Sequence, residues 1–389
     1  MERKVYLVRH GKPDLGEKEG KVYLGRKDVP LLWSDREHFL LLGQFFHRKG
    51  IHHLVSSPLL RCRQSAELVW EGMESISARK PEVDTKISHI LTMQEFQEID
   101  TGLWDGCSFA EIRQKYPEEY EKRGLHPGSY VFPAGESPRQ AGLRFFEGMK
   151  KLLIETEGNL LVMAHAGVIR SFLCIIQGKQ EDEMFSFSVP YGSVTELSFD
   201  GTDWRTESVG SFPSETMTEA RVKEFWDICG TTERQRCHMR KTAAFAMELL
   251  NCSERGHFSK PVVQWGDTEL NLYNIYYGCL LHDLKRSLGR NHEELGGQWL
   301  EERGYGRLAE LVRRHNDPAI LREGQPLSEE ELLYYADKRV KEDLIVSVEE
   351  RFAMSRSRIK DETGRYMHEK RKNAALHIEK KLRSRQAID

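Results

Sequence analysis

Short apolar runs, each closed by polar or glycine residues, punctuate residues 1–208, and longer stretches with helical periodicity lie between them. Val5 to Val8, His53 to Ser57, Asn159 to Ala164 and Ser193 to Phe199 have the length and apolar content of buried strands. Asp35 to Lys49 is amphipathic and helical, and Val168 to Gln177 reads as a helix. Pro58 opens another helix through Trp70, since proline suits a first helical turn. Gly11 to Val29, rich in glycine and charge, reads as a loop, and Asp200-Gly201 as a hairpin turn before Trp204-Arg205. This alternation predicts an α/β three-layer domain over 1–208, a mostly parallel sheet flanked by helices.

The pattern changes after Gly210. Residues 209–218, with Ser211-Phe212-Pro213-Ser214, read as a linker. Helical periodicity then runs through Glu219 to Ile228, Arg234 to Leu250, Thr268 to Leu288, His292 to Arg303, Leu308 to Arg314, Ser328 to Lys341 and Val346 to Arg356, with no strand between. An all-α domain is expected over 219–356. Residues 357–389 are rich in Lys and Arg with a thin apolar stripe (Leu376, Leu382). They read as a basic terminal helix or tail, solvated rather than a nucleic-acid arm.

At 389 residues the chain has room for two or three cores. Its net charge of -3 gives no global attraction to nucleic acid or anionic membrane. The 7 cysteines are scattered, with no C-x-x-C pair, which fits a reducing cytoplasm better than a disulfide framework. Met1-Glu2-Arg3-Lys4 precedes too short an apolar run for a signal peptide. The apolar stretch from Leu160 to Ile176 is broken by His165, Gly167 and Arg170, as a strand, turn and buried helix would be and a membrane span would not.

Two strand signals end alike, in Arg9-His10-Gly11 and in His165-Ala166-Gly167. Open α/β sheets bind ligands at the carboxyl ends of their strands, so the pair predicts one site in which one imidazole attacks phosphorus and the other helps hold the oxygens. Arg9 can fork onto two phosphate oxygens. Arg61 falls on the first turn of the helix after Ser56-Ser57-Pro58, where the helix N-terminus adds positive charge. Lys12 in the loop adds charge for a polyanionic substrate or is plain surface. His38, His47, His52, His53, His89 and His126 show no partner and read as surface; Cys237 reads as a small buried residue.

These pieces, with Glu98 to Gly106 and Gly135-Glu136-Ser137, resemble the histidine phosphatase superfamily, the phosphoglycerate-mutase-like phosphatases. The resemblance spans about the first half of the chain. It implies that His10 is the phosphorylated nucleophile, that Arg9, Arg61 and His165 hold the phosphoryl oxygens, and that Glu98, rather than Glu95, is the general acid. It implies no cofactor there.

In the helical half, His282-Asp283 ends an apolar helical run, His238 lies on a helix before it, and Asp337 ends a later one. Four N and O ligands on three helices suggest a metal site. H…HD…D is similar to the pattern of the HD-domain metal-dependent phosphohydrolases, and His292 and His315 match the extra histidines of binuclear members. Arg286 stands where that family often carries a lysine, near the leaving phosphate. The resemblance implies one or two divalent ions (Fe, Mn, Co or Mg), which suit such a donor set and lower the pKa of water.

The sequence therefore predicts a cytoplasmic bifunctional phosphohydrolase acting on small phosphorylated metabolites or nucleotides, with no membrane or nucleic-acid partner, and with a homo-oligomer left open. A phosphomutase in the first half, or a nucleotide-sensing regulatory second half, are the alternatives.

Overall fold

The computed structural model describes residues 2–16, 21–77, 87–256, 258, 260–266, 268–289, 291–356, 359 and 361–386. Residues 17–20 of the expected loop, and 357, 358, 360 and 387–389 of the expected tail, lie outside them. The chain divides into two compact units, Met1–Pro213 and Ser214–Asp389.

Six strands form the sheet of the first unit: β1 (Arg3–Arg9), β2 (Ile51–Ser56), β3 (Ile90–Thr92), β4 (Asn159–Ala164), β5 (Val194–Phe199) and β6 (Trp204–Ser211). Their order is β3-β2-β4-β1-β5-β6. The first four in that order run parallel, and β5 and β6 add an antiparallel edge. Strand alternation sends side chains to opposite faces. Val5, Leu7, Leu160 and Val162 pack with Phe145, Met149, Val168 and Phe172, from helices α5 (Pro138–Glu155) and α6 (Ala166–Ile176). On the other face Tyr6, Val8, Leu161 and Met163 meet Phe39, Phe46, Ala66 and Val69, from α1 (Arg36–His47) and α2 (Leu60–Ser77). These are the three expected layers. Two short helices, α3 (Phe109–Lys115) and α4 (Pro117–Leu125), precede α5.

The second unit is mainly helical: α7 (Glu219–Ile228), α8 (Glu233–Leu249), α9 (Leu272–Leu281), α10 (His292–Glu301), α11 (Gly306–Arg314), α12 (Glu329–Arg339), α13 (Val348–Arg356) and α14 (Glu362–Gln386). Among the described residues it also holds two hairpins where no strand was expected: β7 (Val262–Trp265) with β8 (Thr268–Asn271), and β9 (Val340–Lys341) with β10 (Leu344–Ile345). Gly266, at φ +61°, supplies the left-handed residue of the first turn. The expected helix from Thr268 therefore begins only at Leu272, where Asn271 caps it by accepting from Tyr273 N–H at 2.9 Å.

The expected linker is structured at both ends, since β6 runs to Ser211 and Ser214, Glu215 and Thr216 are buried. The basic terminal helix is not simply solvated either. Ala374, Ala375, Ile378 and Leu382 of α14 are buried. Among the described residues no helix is long and apolar enough to cross a membrane.

Candidate functional site

β1 and β4 are parallel neighbours with Arg9 opposite Ala164, so His10 and His165 leave the sheet side by side. Their rings meet edge to face, 4.9 Å between centroids. His10 Nδ1 lies 2.6 Å from Gly11 O. A carbonyl accepts only from an N–H, which puts the proton on Nδ1 and the lone pair on Nε2. Arg61 Nε donates to that Nε2 at 3.2 Å, and its other nitrogens donate to Lys27 O at 2.9 Å and Gly25 O at 2.8 Å. Asp105 in turn accepts from the N–H groups of Gly25 and Lys27, at 2.9 and 2.7 Å. The turn after Trp104 thus fixes the segment that fixes Arg61.

Burial, and after it the charges of Arg61 and Arg9, holds the His10 imidazole well below the usual histidine value. Burial, Arg61, His10 and Arg9 do the same to His165. Both rings are therefore neutral near pH 7. His165 Nε2 is 2.8 Å from Ser57 Oγ and 3.4 Å from Cys62 Sγ, whose thiol burial pushes up. Arg9 donates to Val189 O at 2.7 Å and stacks 3.5 Å from the Tyr191 ring centroid. Its Nε is buried with no partner among the described residues, a donor that an anion would complete.

Glu98 is held by three backbone N–H groups. Oε1 accepts from Ile99 at 2.9 Å and Val168 at 3.1 Å, and Oε2 from Gly167 at 3.1 Å. The last two belong to the first turn of α6, which starts directly after His165. Gly167 is required for this approach, because a Cβ there would stand 2.5 Å from Glu98 Oε1. Glu95 packs elsewhere, its Cβ beside Gly148 of α5. Lys12 is exposed; its backbone N–H reaches Asp35, and among the described residues nothing joins its side chain to the site. Sequence reasoning missed Arg170, which it took only as a break in an apolar run. Its Nε donates to Phe187 O at 2.9 Å, and burial lowers its pKa against the opposing charge of Glu98. A single cation inside an otherwise apolar helix was the available signal.

The histidines expected at the surface divide. His47 is buried, His38 Nε2 is 2.8 Å from Gly192 O, and His52 Nδ1 accepts from Asn159 N–H at 3.2 Å. Cys237 is exposed, not buried.

In the second unit the helices bring together all six expected ligands. His238 Nε2 is 3.1 Å from Asp337 Oδ1, and His282 Nε2 is 3.5 Å from the same oxygen and 3.9 Å from Asp283 Oδ2. His292 Nε2 and His315 Nε2 lie 3.0 and 3.6 Å from Asp283 Oδ1. Asp283 joins the two halves of the cluster. Each of His282, His292 and His315 places Nδ1 on a backbone carbonyl, at 2.8, 3.2 and 2.7 Å, which directs Nε2 inward as metal-ligating histidines are directed. His282 is fully buried, yet its Nε2 has no hydrogen-bond partner among the described residues. The residues fit a divalent ion.

Burial opposes a charged His282, but Asp283 and Asp337 outweigh it and raise its pKa. Burial pushes the Asp283 carboxyl up, but the charge of His282, with hydrogen bonds from His292 and His315, outweighs it and holds Asp283 well below the carboxylate range. Lys338, which sequence reasoning missed, places Nζ 2.5 Å from Asp337 Oδ2. Arg286 Nη1 is 2.9 Å from His292 Nε2 and 3.8 Å from Asp283 Oδ1.

The family described as the Histidine phosphatase superfamily (branch 1) matches residues 5–211. Of curated relatives, 6-phosphofructo-2-kinase/fructose-2,6-bisphosphatase 1 of Rattus norvegicus is 27% identical over 209 residues, 53% of this chain and 40% of that protein. 6-phosphofructo-2-kinase/fructose-2,6-bisphosphatase 3 of the same organism is 33% identical over 209 residues, 53% of this chain and 34% of that protein. The chain thus spans less than half the length of these relatives. Among solved structures, Bacillus stearothermophilus YhfR shares 22% identity at a TM-score of 0.48, covering 55% of this chain and 100% of that one.

Proposed function

The chain belongs to the histidine phosphatase superfamily, and from that membership we propose that its first unit hydrolyses a phosphomonoester of a small metabolite through a phosphohistidine on His10. The observation that carries this reading is the neutral His10, with Nδ1 tied to Gly11 O and Nε2 facing the Arg61 guanidinium. On substrate binding the Arg61 N–H turns from Nε2 to a phosphoryl oxygen, and Arg9 and His165 take the others. Nε2 forms the N–P bond while the P–O bond to the leaving group breaks, and the carboxylic acid of Glu98 protonates that oxygen. Water then cleaves the N–P bond, with Glu98 accepting its proton. No step needs a metal. His10→Ala should abolish monoesterase turnover, and a chelator should leave the wild-type activity intact. Robust turnover by His10→Ala, or full loss on chelation, overturns the assignment.

For the second unit we propose an HD-type metal-dependent phosphohydrolase. The supporting observation is the fully buried His282 Nε2, which makes no hydrogen bond among the described residues and lies amid five further ligands. His238, His282, Asp283 and Asp337 would hold one ion, with Asp283, His292 and His315 available to a second. Imidazole and carboxylate donors suit Fe, Mn, Co or Mg. Ions bound there supply Lewis acidity toward a phosphoryl oxygen and the attacking water. Arg286 and Lys338 add positive charge beside the ligands. A reducing, cytoplasmic setting suits a chain whose described cysteines are all free. Metal content of the purified chain, by elemental analysis, tests the reading; no divalent ion in the wild type, and no uptake on addition, rejects it.

A further inference from the structure

The metal ligands His238, Asp283, His315 and Asp337 line a cavity of about 360 Å³. The rest of its lining comes partly from the C-terminal helices: Arg351, Phe352 and Ser355 of α13, and His368 and Arg371 of α14. Arg351 Nε and Arg371 Nε are both buried with no hydrogen-bond partner among the described residues. No carboxylate pairs with either guanidinium among those residues, although the chain has 61 Asp and Glu against 58 Lys and Arg. Nearly every other arginine of this unit that is shielded from solvent has found one: Arg236 pairs with Asp227, Arg307 with Glu329, Arg339 with Glu379.

Leaving a buried guanidinium N–H without a partner is costly, and two such N–H groups, on half-buried arginines that line one cavity, indicate an anion that completes them. A single phosphoryl group would be taken up by the ions and by Arg286 and Lys338 beside the ligands. Arg351 and Arg371 therefore remain for a second one. His368 is held at the same wall, with Nε2 2.9 Å from Ser355 Oγ and its ring 5.0 Å from that of Phe352.

We infer that Arg351 and Arg371 form a clamp for a second phosphoryl group, so that the site takes substrates carrying at least two phosphates, such as a nucleoside diphosphate or triphosphate. The inference rests on the metal-dependent reading of this unit and adds to it the class of ligand. It also gives α13 and α14, the latter expected from sequence to be a solvated terminal helix, a part in substrate binding.

Pyrophosphate and inorganic phosphate are the probes. The full chain is loaded with manganese, and 31P line broadening is followed as each anion is titrated. Paramagnetic broadening reports only anions near the metal, so binding at the His10 pocket does not interfere. Pyrophosphate should bind at least about tenfold more tightly than phosphate. Arg351→Ala and Arg371→Ala should each weaken pyrophosphate by about tenfold or more and phosphate by less than about threefold, at unchanged manganese content. Arg351→Lys and Arg371→Lys keep the charge but lose the fork, give an intermediate loss, and serve where alanine unfolds the unit. Full manganese with pyrophosphate binding unaltered in both sets of variants, or with both anions weakened alike, overturns the clamp. If the wild type takes up no manganese, the metal reading fails by itself. Calorimetry on the metal-free chain then decides the clamp: a pyrophosphate-binding event missing from the arginine variants supports it, and identical titrations overturn it.

Discussion

Gly167→Ala puts the smallest possible obstacle between α6 and the carboxyl group it holds. The added Cβ would lie 2.5 Å from Glu98 Oε1, 3.1 Å from its Cδ and 2.5 Å from Ile99 Cδ1, where ordinary contact begins at 3.4 Å. The carboxyl group must therefore retreat by 3.4 − 2.5 = 0.9 Å. Misplacing a reacting group by about 1 Å costs about 10²-fold, and a general acid is worth about 10²–10⁴-fold altogether. Alanine is the better helix former by up to about 1 kcal/mol, so the variant should fold, and a loss of activity should not come from unfolding. The assay is kcat on two phosphomonoesters, one alkyl and one p-nitrophenyl, with a chelator present to silence the second unit. An alkyl leaving group needs its proton and a nitrophenolate does not. We expect a drop of about 10²-fold for the alkyl ester and less than about tenfold for the aryl ester. Glu98→Gln should show the same split, and the double variant should be little worse than either single one, because both remove one function. Equal losses for both esters, or none, would mean that Glu98 does not protonate the leaving group. So would the split appearing in Glu95→Gln instead of Glu98→Gln.

Two further outcomes follow from the buried histidines and the ligand cluster. His10 and His165 are neutral in the fold, with pKa values well below the ordinary 6.5 through burial and the arginine charges. Below pH 6.5 the unfolded chain binds protons that the folded chain does not, so stability falls with pH from there toward the depressed native values, by up to about 1.4 kcal/mol per pH unit for each histidine. Denaturant unfolding of the first unit at a series of pH values should show that slope, and His165→Gln should roughly halve it; an unchanged slope contradicts the assignment. In the second unit, chelation should lower the thermal transition, since a ligand at a thousand times its Kd contributes about 4 kcal/mol. The first unit should be unmoved. Asp283→Ala should abolish the response, while His292→Ala and His315→Ala should take the metal count from two toward one; a wild-type transition indifferent to chelator speaks against the site.

Much of this was legible in the sequence, and the reason is local. β1, β2, β4 and β5 are short apolar runs with no competing period, and the histidines that end β1 and β4 come together because those strands are neighbours. Glu98 was preferred over Glu95 by its motif; in the structure Glu98 meets the first turn of α6, and Glu95 packs beside Gly148. Less was legible between Trp70 and Asn159, where α3, α4 and α5 went unread. Lys12 stayed open between substrate contact and plain surface because a loop charge carries no information about direction. Arg351 and Arg371 escaped because nothing in a sequence distinguishes a cation whose partners are missing from one at the surface, whereas Arg170 carried a signal, a lone cation in an apolar helix. The hairpin of β7 and β8 was hidden because a strand of four residues covers little more than one helical turn, too short to show a period of its own. The basic end of the chain looked solvated because its apolar positions are few, yet four of them are buried.

The central claim is that phosphorus passes through the Nε2 atom of His10. The most direct measurement is to mix the enzyme with 32P-labelled phosphomonoester, quench within a turnover in alkali, digest, and locate the label by mass spectrometry. An alkali-stable, acid-labile phosphate is expected on the peptide carrying His10, present with chelator and absent from His10→Ala. Label on His165, on a serine or on Cys62, or steady turnover with no labelled peptide at all, would contradict it.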